Sequence, residues 1–410
     1  MGRVDALVVT ALPEEFEAAK AVAGGGGWSL HDAGGAAPYV SGEVETSSGA
    51  LVVALARPSA MSGRSTTPIV TALVQSLRPN CLAMSGVCAG NPDKTAPGDV
   101  LIASPAYQYD EGKQRGDEFL GDLQQFPLED RWLREVQDYD PAHLPSYGPA
   151  TDDEATIWLL ERLLLMQEPR QHPARPRYFP RGAWGSHVGA IEAEGFIMRR
   201  PNGEPALTDA GRAYIERIRY DDVDGPDRLP FAVLHGPMAS GNAVMQDPEI
   251  WGRLQRMGSR RILGLEMEAA AVATVAHQLA VPHWLIAKGV MDSAELTRDD
   301  RFKEFAARAS AEVLLDLLGR LLVPPAREPR VSQPGTVKLQ ILRRLDYDWI
   351  DLADHVGIPA FQRARFGPGE GPRGVWEWLE VRERLGDLPT ALADIGREDL
   401  ADLFRQQAAD

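Results

Sequence analysis

Cysteine is nearly absent from this chain. Two residues, Cys81 and Cys88, stand among 410, which excludes a disulfide framework and a cysteine-built zinc cluster. Histidine is sparse and scattered, eight in all, and no His-Glu-x-x-His stretch offers a helical metal site. Nothing in the pattern calls for a metal ion or a cofactor. No apolar run approaches the roughly 20 residues that span a bilayer, and the opening MGRVDALVVTALPEE lacks the apolar centre of a signal peptide. A Walker-type phosphate loop is missing too. Bases are in deficit: the formal net charge is −16, a poor default for binding nucleic acid or an anionic membrane. These absences point to a soluble protein of a reducing compartment, the cytoplasm. The apolar (44%) and charged (25%) fractions are those of an ordinary globular chain. The length, 410 residues, suggests two or three folding units.

What is present alternates between short β-branched runs and amphipathic helices. VDALVVT (residues 4–10), ALVVALARP (50–58), CLAMSGVCAG (81–90) and GDVLIAS (98–104) read as buried strands, the third running into a small-residue turn. ALPEEFEAAKAVA and TTPIVTALVQSL read as helices between them. The alternation resumes at PFAVLHGPMASGNAV and ends in the helix DRFKEFAARASAEVLLDLLGRLL. The expected fold class is α/β, a mixed sheet flanked by helices, built from residues 1–105 and 231–322.

Residues 106–230 form an insertion rich in proline, tryptophan and tyrosine. DDEATIWLLERLLLMQ has helical apolar spacing. The later VGAIEAEGFIMRRPNGEPALTDAGRAYIERI reads as helix, strand, Pro-Asn-Gly turn, strand and helix, and resembles the wing and last helix of winged-helix modules. Acids outnumber bases by about nine here, so a structural or protein-contact role is favoured over a phosphate footprint. A proline-rich linker, 323–335, leads to a helical unit at 336–410 in which Trp349, Leu352, Val356 and Ile358 suit one buried face and Trp376 and Leu379 repeat the spacing.

RILGLEMEAAAVATVA poses the chemical question. Glu266 and Glu268 bracket Met267 where an apolar strand becomes an alanine-rich helix. Burying a carboxylate costs several kcal/mol unless hydrogen bonds offset it. Two other acids, Glu15 and Asp292, also follow strands, and ligands of such folds bind beyond strand carboxyl ends.

GLEMEAAAVA, GVMDSAE, ALPEEFEAA and SGVCAG, in this order of role, resemble the purine nucleoside phosphorylase/nucleosidase superfamily in its methylthioadenosine/S-adenosylhomocysteine nucleosidase branch. The resemblance covers residues 1 to about 105 and about 231 to 322. It implies that Asp292 is the general acid at the purine, near N7, and that Glu15 activates the attacking water. It implies that Glu268 accepts hydrogen bonds from the ribose hydroxyls, Met267 packs on the sugar and Glu266 supports them. Ser85, Gly86, Cys88 and Ala89 would line the floor. SGNAVM resembles the family's SGDAFI, so Val244 and Met245 would flank the base, with valine where the family carries phenylalanine. Each acid also has a plainer reading: a helix cap for Asp292, a solvated helix start for Glu266 and Glu268, an exposed first-turn acid for Glu15. Cys88 reads as packing.

Phosphate as nucleophile needs a cationic cradle, and TALPEEFEAA offers acids instead, which favours water. Arg57, Arg64 and Lys288 are candidates to face a 5′-phosphate chain, or are ordinary cations. The C-terminal DWIDLADHVGI and VWEWLEVRERLGDLPTALADIGREDLADL resemble death-fold-like effector-associated domains of prokaryotic conflict systems. That resemblance implies like-with-like pairing with a protein partner and a regulated effector in anti-phage defence, some relatives of which deplete ATP. The expectation is therefore a hydrolase that frees adenine from ATP or AMP, working as a homo-oligomer, with a dimer favoured. The alternatives are a methylthioadenosine/S-adenosylhomocysteine nucleosidase, a phosphate-dependent phosphorylase, and a non-catalytic nucleotide-sensing adaptor.

Overall fold

The computed structural model describes residues 4–24, 27–31, 38–46, 49–116, 118–220, 225–295, 300–322, 335–367, 369–382 and 384–406. They fall into two compact units, residues 1–324 and 325–410. The expected linker lies almost wholly outside the described residues.

The first unit opens with β1 (Ala6–Val9), α1 (Pro13–Val22), β2 (Ser29–His31), β3 (Tyr39–Thr46), β4 (Gly49–Ala56), α2 (Gly63–Leu77), β5 (Cys81–Gly90) and β6 (Val100–Gln108). The insertion carries β7 (Gly112–Arg115), β8 (Glu118–Gly121), β9 (Gln125–Phe126), α3 (Asp130–Gln137), α4 (Asp152–Leu164), α5 (Arg175–Tyr178), α6 (Ala183–Ala193), β10 (Ile197–Arg199), β11 (Pro205–Leu207) and α7 (Asp209–Tyr220). The chain then returns through β12 (Val233–Ser240), α8 (Ile250–Arg256), β13 (Gly264–Glu266), α9 (Ala269–Gln278), β14 (His283–Asp292) and α10 (Lys303–Leu321).

One ten-stranded mixed sheet runs β13-β12-β6-β14-β5-β1-β4-β3-β2, with β9 added against β6. Strand alternation sorts its side chains. Ala6 and Val8 of β1 enter one core with α10, while Leu7 and Val9 enter the other with α2 and α9. Burial on both faces accounts for near-continuous apolar strands in place of a polar–apolar alternation. Gly289 lets α10 lie directly on β14: a Cβ there would stand 2.2 Å from the Ala306 carbonyl oxygen. The alanines of α9 serve the same end, with Ala269, Ala270, Ala273 and Ala276 buried.

Two features depart from the expected outline. SGVCAG is strand, not turn, because β5 continues to Gly90 and pairs at its far end with β13, Gly264 against Gly90 and Leu265 against Ala89. The sheet thereby closes on itself through β13, β12, β6, β14 and β5. The insertion is also no separate body. Strand β6 passes residue 105 and runs to Gln108, β9 joins the main sheet, and Trp132, Trp158 and Tyr178 share a core with α10. Within it the chain runs α6, β10, β11 and α7, and the Thr208 hydroxyl caps α7 by accepting from Gly211 N.

Among the described residues, the second unit has helices only: α11 (Gly335–Leu345), α12 (Trp349–His355), α13 (Ala360–Arg363), α14 (Gly371–Val381), α15 (Leu388–Asp394) and α16 (Glu398–Gln406). Leu352, Val356, Ile358, Trp376 and Leu379 are buried as their spacing predicts, around Leu392, Leu400 and Phe404. Trp349 sits half-buried at the edge, its ring 5.9 Å from Phe366.

Candidate active site

Sheet closure brings three strand ends together. Glu15, Glu268 and Asp292 all line one cavity of about 330 Å³, with Met267, Cys88, Ala89, Val244 and Met245. Each acid is held by a different local device.

Glu15 is buried and belongs to the first turn of α1. Its Oε2 accepts from Ala11 N (2.7 Å) and Leu12 N (2.9 Å), and its Oε1 accepts from Val87 N (2.8 Å). A carboxylate offers about four acceptor sites, so three backbone donors fix it while leaving room for one more. Gly86 makes this approach possible, since a Cβ there would lie 2.5 Å from Oε1. The adjacent Glu14 is the exposed first-turn acid.

Glu266 ends β13, and its side chain receives the first backbone donors of α9, whose N-cap is Glu268. Its carboxylate accepts from Glu268 N, Ala269 N and the Ser240 hydroxyl, and lies 3.3 Å from Lys288 Nζ. Glu268 accepts from Ser62 N at 2.8 Å and stands 3.7 Å from the same ammonium. Burial pushes the Glu268 carboxyl up to about 7; Lys288 and the Ser62 N–H oppose that shift and Glu266 and Glu15 add to it. Lys288 itself is fully buried. Burial would lower it, yet the Glu266, Glu15 and Glu268 carboxylates outweigh that and hold it above its ordinary value.

Asp292 ends β14 at a bulge, where the register with β5 slips between Val290 and Asp292. Such a bulge re-aims a side chain. Its Oδ1 accepts from Ala294 N at 3.0 Å, a local turn. The N-cap of α10 is Phe302, not Asp292. Trp251 Nε1 donates to Ser293 O and steadies this corner.

Several expected placements are corrected. Lys288 cannot face a phosphate chain, because it lies beneath the carboxylates as their counter-ion. Ser85 points away from the cavity, its hydroxyl 3.0 Å from that of Ser310 on α10. Arg57 and Arg64 are exposed and do not line the cavity, although the loop they flank reaches it through Met61 and the Ser62 N–H. Cys88 does line it, but burial pushes its thiol well above the usual range, so it is no nucleophile. Val244 is exposed at the rim.

Sequence reasoning missed Leu12, Met291, Glu295 and Lys303 in the lining. Glu295 accepts from the Ser293 hydroxyl and pairs at 3.0 Å with Arg219 of α7, so the insertion touches the corner that carries Asp292. Lys303 pairs with Glu14 at 2.9 Å. No pattern in the sequence announces either contact, since both arise from distant segments. Among the described residues, no group of three or more His, Cys, Asp or Glu is arranged to hold a metal ion, and no helix is long and apolar enough to cross a membrane.

Known proteins fit both halves of this description. Residues 335–407 match the family model Bacterial Death-like domain 3. This match bears out the resemblance of the C-terminal motifs to death-fold-like domains. Elsewhere, the chain is similar to a 5′-methylthioadenosine/S-adenosylhomocysteine nucleosidase of Bacillus velezensis, 34% identical over 122 residues, which is 28% of this chain and 51% of that protein. It is similar to the ATP nucleosidase Cap17 of Escherichia coli, 24% identical over 314 residues, 76% of this chain and 50% of that one. The chain therefore spans about half the length of these relatives. A solved nucleosidase of that first type, from Neisseria meningitidis with methylthio-immucillin-A, overlays 77% of this chain and 99% of its own, with 16% identity and a TM-score of 0.46.

Proposed function

We propose that this protein is an N-glycoside hydrolase that removes adenine from a purine nucleotide, ATP or AMP. The observation that carries the reading is the meeting of Glu15, Glu268 and Asp292 around one cavity, each brought there by a different segment: the start of α1, the start of α9 and the end of β14. The Escherichia coli relative called an ATP nucleosidase supports the choice of substrate class.

Each acid has a distinct task. Asp292 donates a proton to the purine as the bond from the sugar carbon to the base nitrogen breaks, so the electron pair leaves on a neutral base. Water supplies the oxygen that bonds to that carbon, and Glu15 takes its proton through the acceptor site its backbone donors leave open. Glu268 binds the ribose hydroxyls. Two hydroxyl donors favour its ionised form, which the empty site disfavours. Substrate thus relieves a strained carboxylate, and Lys288 beneath keeps the cluster from repelling itself. Free phosphate is a poor nucleophile here because the buried Glu15 carboxylate holds the position the nucleophile would take.

The death-like domain is the recruiting module of a regulated defence effector, and the enzyme works as a homo-oligomer, with a dimer favoured. Tyr347, Phe361 and Val381 of that domain are exposed at 78%, 63% and 79%, apolar surface of the kind a protein partner covers.

The test is adenine release, read by chromatography, from ATP, AMP, adenosine and methylthioadenosine, with and without phosphate. Adenine from ATP or AMP without phosphate, at least about 100-fold slower in Asp292→Asn, is the expected result. Release from methylthioadenosine alone would make it a salvage-type nucleosidase. Nucleotide binding without product under any condition would make it a sensor.

A further inference from the structure

A nucleotide brings a phosphate chain into a cavity whose lining is strongly acidic. Glu15, Glu266, Glu268, Asp292 and Glu295 line it, and Lys303 is the one lysine or arginine among the described lining residues. Lys288 is committed below the floor. Lys303 stands at the start of α10, and its Nζ is 2.9 Å from Glu14 Oε1. The lysine side chain is 18% exposed and the glutamate 47%; Lys303 lines this cavity, while Glu14 holds it from the neighbouring groove beside Pro13 and Glu17.

We propose that Lys303 is the residue that reads the 5′-phosphate of the substrate, and that Glu14 occupies its ammonium when the site is empty. This rests on the nucleotide reading given above. The Glu14 carboxylate is an anion already placed at contact distance, and a phosphate oxygen is a better-charged replacement for it. Exchange of one anion for another leaves the lysine paired throughout, so the site avoids an unpaired cation in either state. A neutral nucleoside offers nothing for which Lys303 would leave Glu14. Adenosine and methylthioadenosine are therefore discriminated against at this one contact.

The pair makes an unusual prediction for its two single variants. An ion pair that merely supports the fold is lost in the same way whichever partner is removed. A phosphate-reading lysine with a competing carboxylate responds in opposite directions. Glu14→Gln frees the ammonium and removes a repelling charge; Lys303→Met removes the ligand's partner.

Binding of ATP, AMP, adenosine and inorganic phosphate is measured by calorimetry in the Asp292→Asn protein, so that nothing is consumed. The ratio of nucleotide to adenosine affinity is the readout. It is expected to fall about ten-fold or more with Lys303→Met and to rise about three-fold with Glu14→Gln. The same ratio of kcat/KM values in proteins retaining Asp292 provides the second measurement if Asp292→Asn fails to fold. Adenosine binding as tightly as ATP and AMP overturns the proposal and leaves the nucleosidase reading standing. Ratios that move the same way in both variants overturn it likewise. Lysine-dependent binding of inorganic phosphate that speeds adenine release from adenosine would assign Lys303 to a phosphate nucleophile instead. Failure of every adenine compound to bind removes the proposed function and this inference together.

Discussion

Replacing Glu268 by glutamine should stabilise the ligand-free protein while disabling it. The carboxyl is buried beside Glu266, with a single backbone donor from Ser62 and one shared ammonium at 3.7 Å. It titrates near 7 in the folded chain against 4.5 for an ordinary glutamate. That gap corresponds to roughly 3 kcal/mol. A carboxyl raised by folding favours the folded chain while it stays protonated. The advantage is full below about 4.5, declines as pH rises, and is gone above about 7. Glutamine mimics the protonated form at every pH. The variant should therefore exceed the natural protein by under about 1 kcal/mol at pH 5 and by roughly 3 kcal/mol at pH 8. In melting temperature the pH 8 gain is on the order of 5 °C. Thermal unfolding of both proteins at the two pH values, without ligand, is the assay. Adenine release should fall at least about ten-fold, because the charge-assisted bonds to the ribose are lost. A gain that is the same at pH 5 and pH 8, or a loss at pH 8, would refute the account of Glu268 as a carboxylate strained until substrate arrives.

Further outcomes follow from the same cluster. Lys288→Met leaves three buried carboxylates without their counter-ion and should destabilise the protein by about 3–5 kcal/mol in urea unfolding; a change below about 1 kcal/mol would show that the carboxylates discharge by taking up protons. Gly86→Ala presses a methyl group on Glu15, which three backbone donors hold in place. It should lower kcat about ten-fold with a smaller change in KM, and an unchanged kcat would separate Glu15 from the water step.

Much of this molecule is legible in one dimension. Buried β-branched strands such as ALVV, the alanine-rich start of α9 and the tryptophan and leucine spacing of the last helices specify local structure, because period and propensity act over a few residues. The acids that follow strands are legible too, since a carboxylate in apolar company demands an explanation by its energy alone. Lys288 marks the limit. In sequence it is a cation shortly before Asp292; in the fold it lies under Glu266 at the end of β13 and Glu268 at the start of α9, and serves as their counter-ion. Ser85 is similar: strand alternation turns it toward Ser310, and only the continuation of β5 past the expected turn decides that face. The roles of Glu14 and Lys303, or of Arg219 and Glu295, depend on contacts between segments 289 and 76 residues apart in number. Local propensity carries no information about such pairs. The packing of α1 against α10 decides the first pair and the docking of α7 beside the end of β14 the second, while closure of the sheet between β5 and β13 brings Glu266 and Glu268 to the cavity.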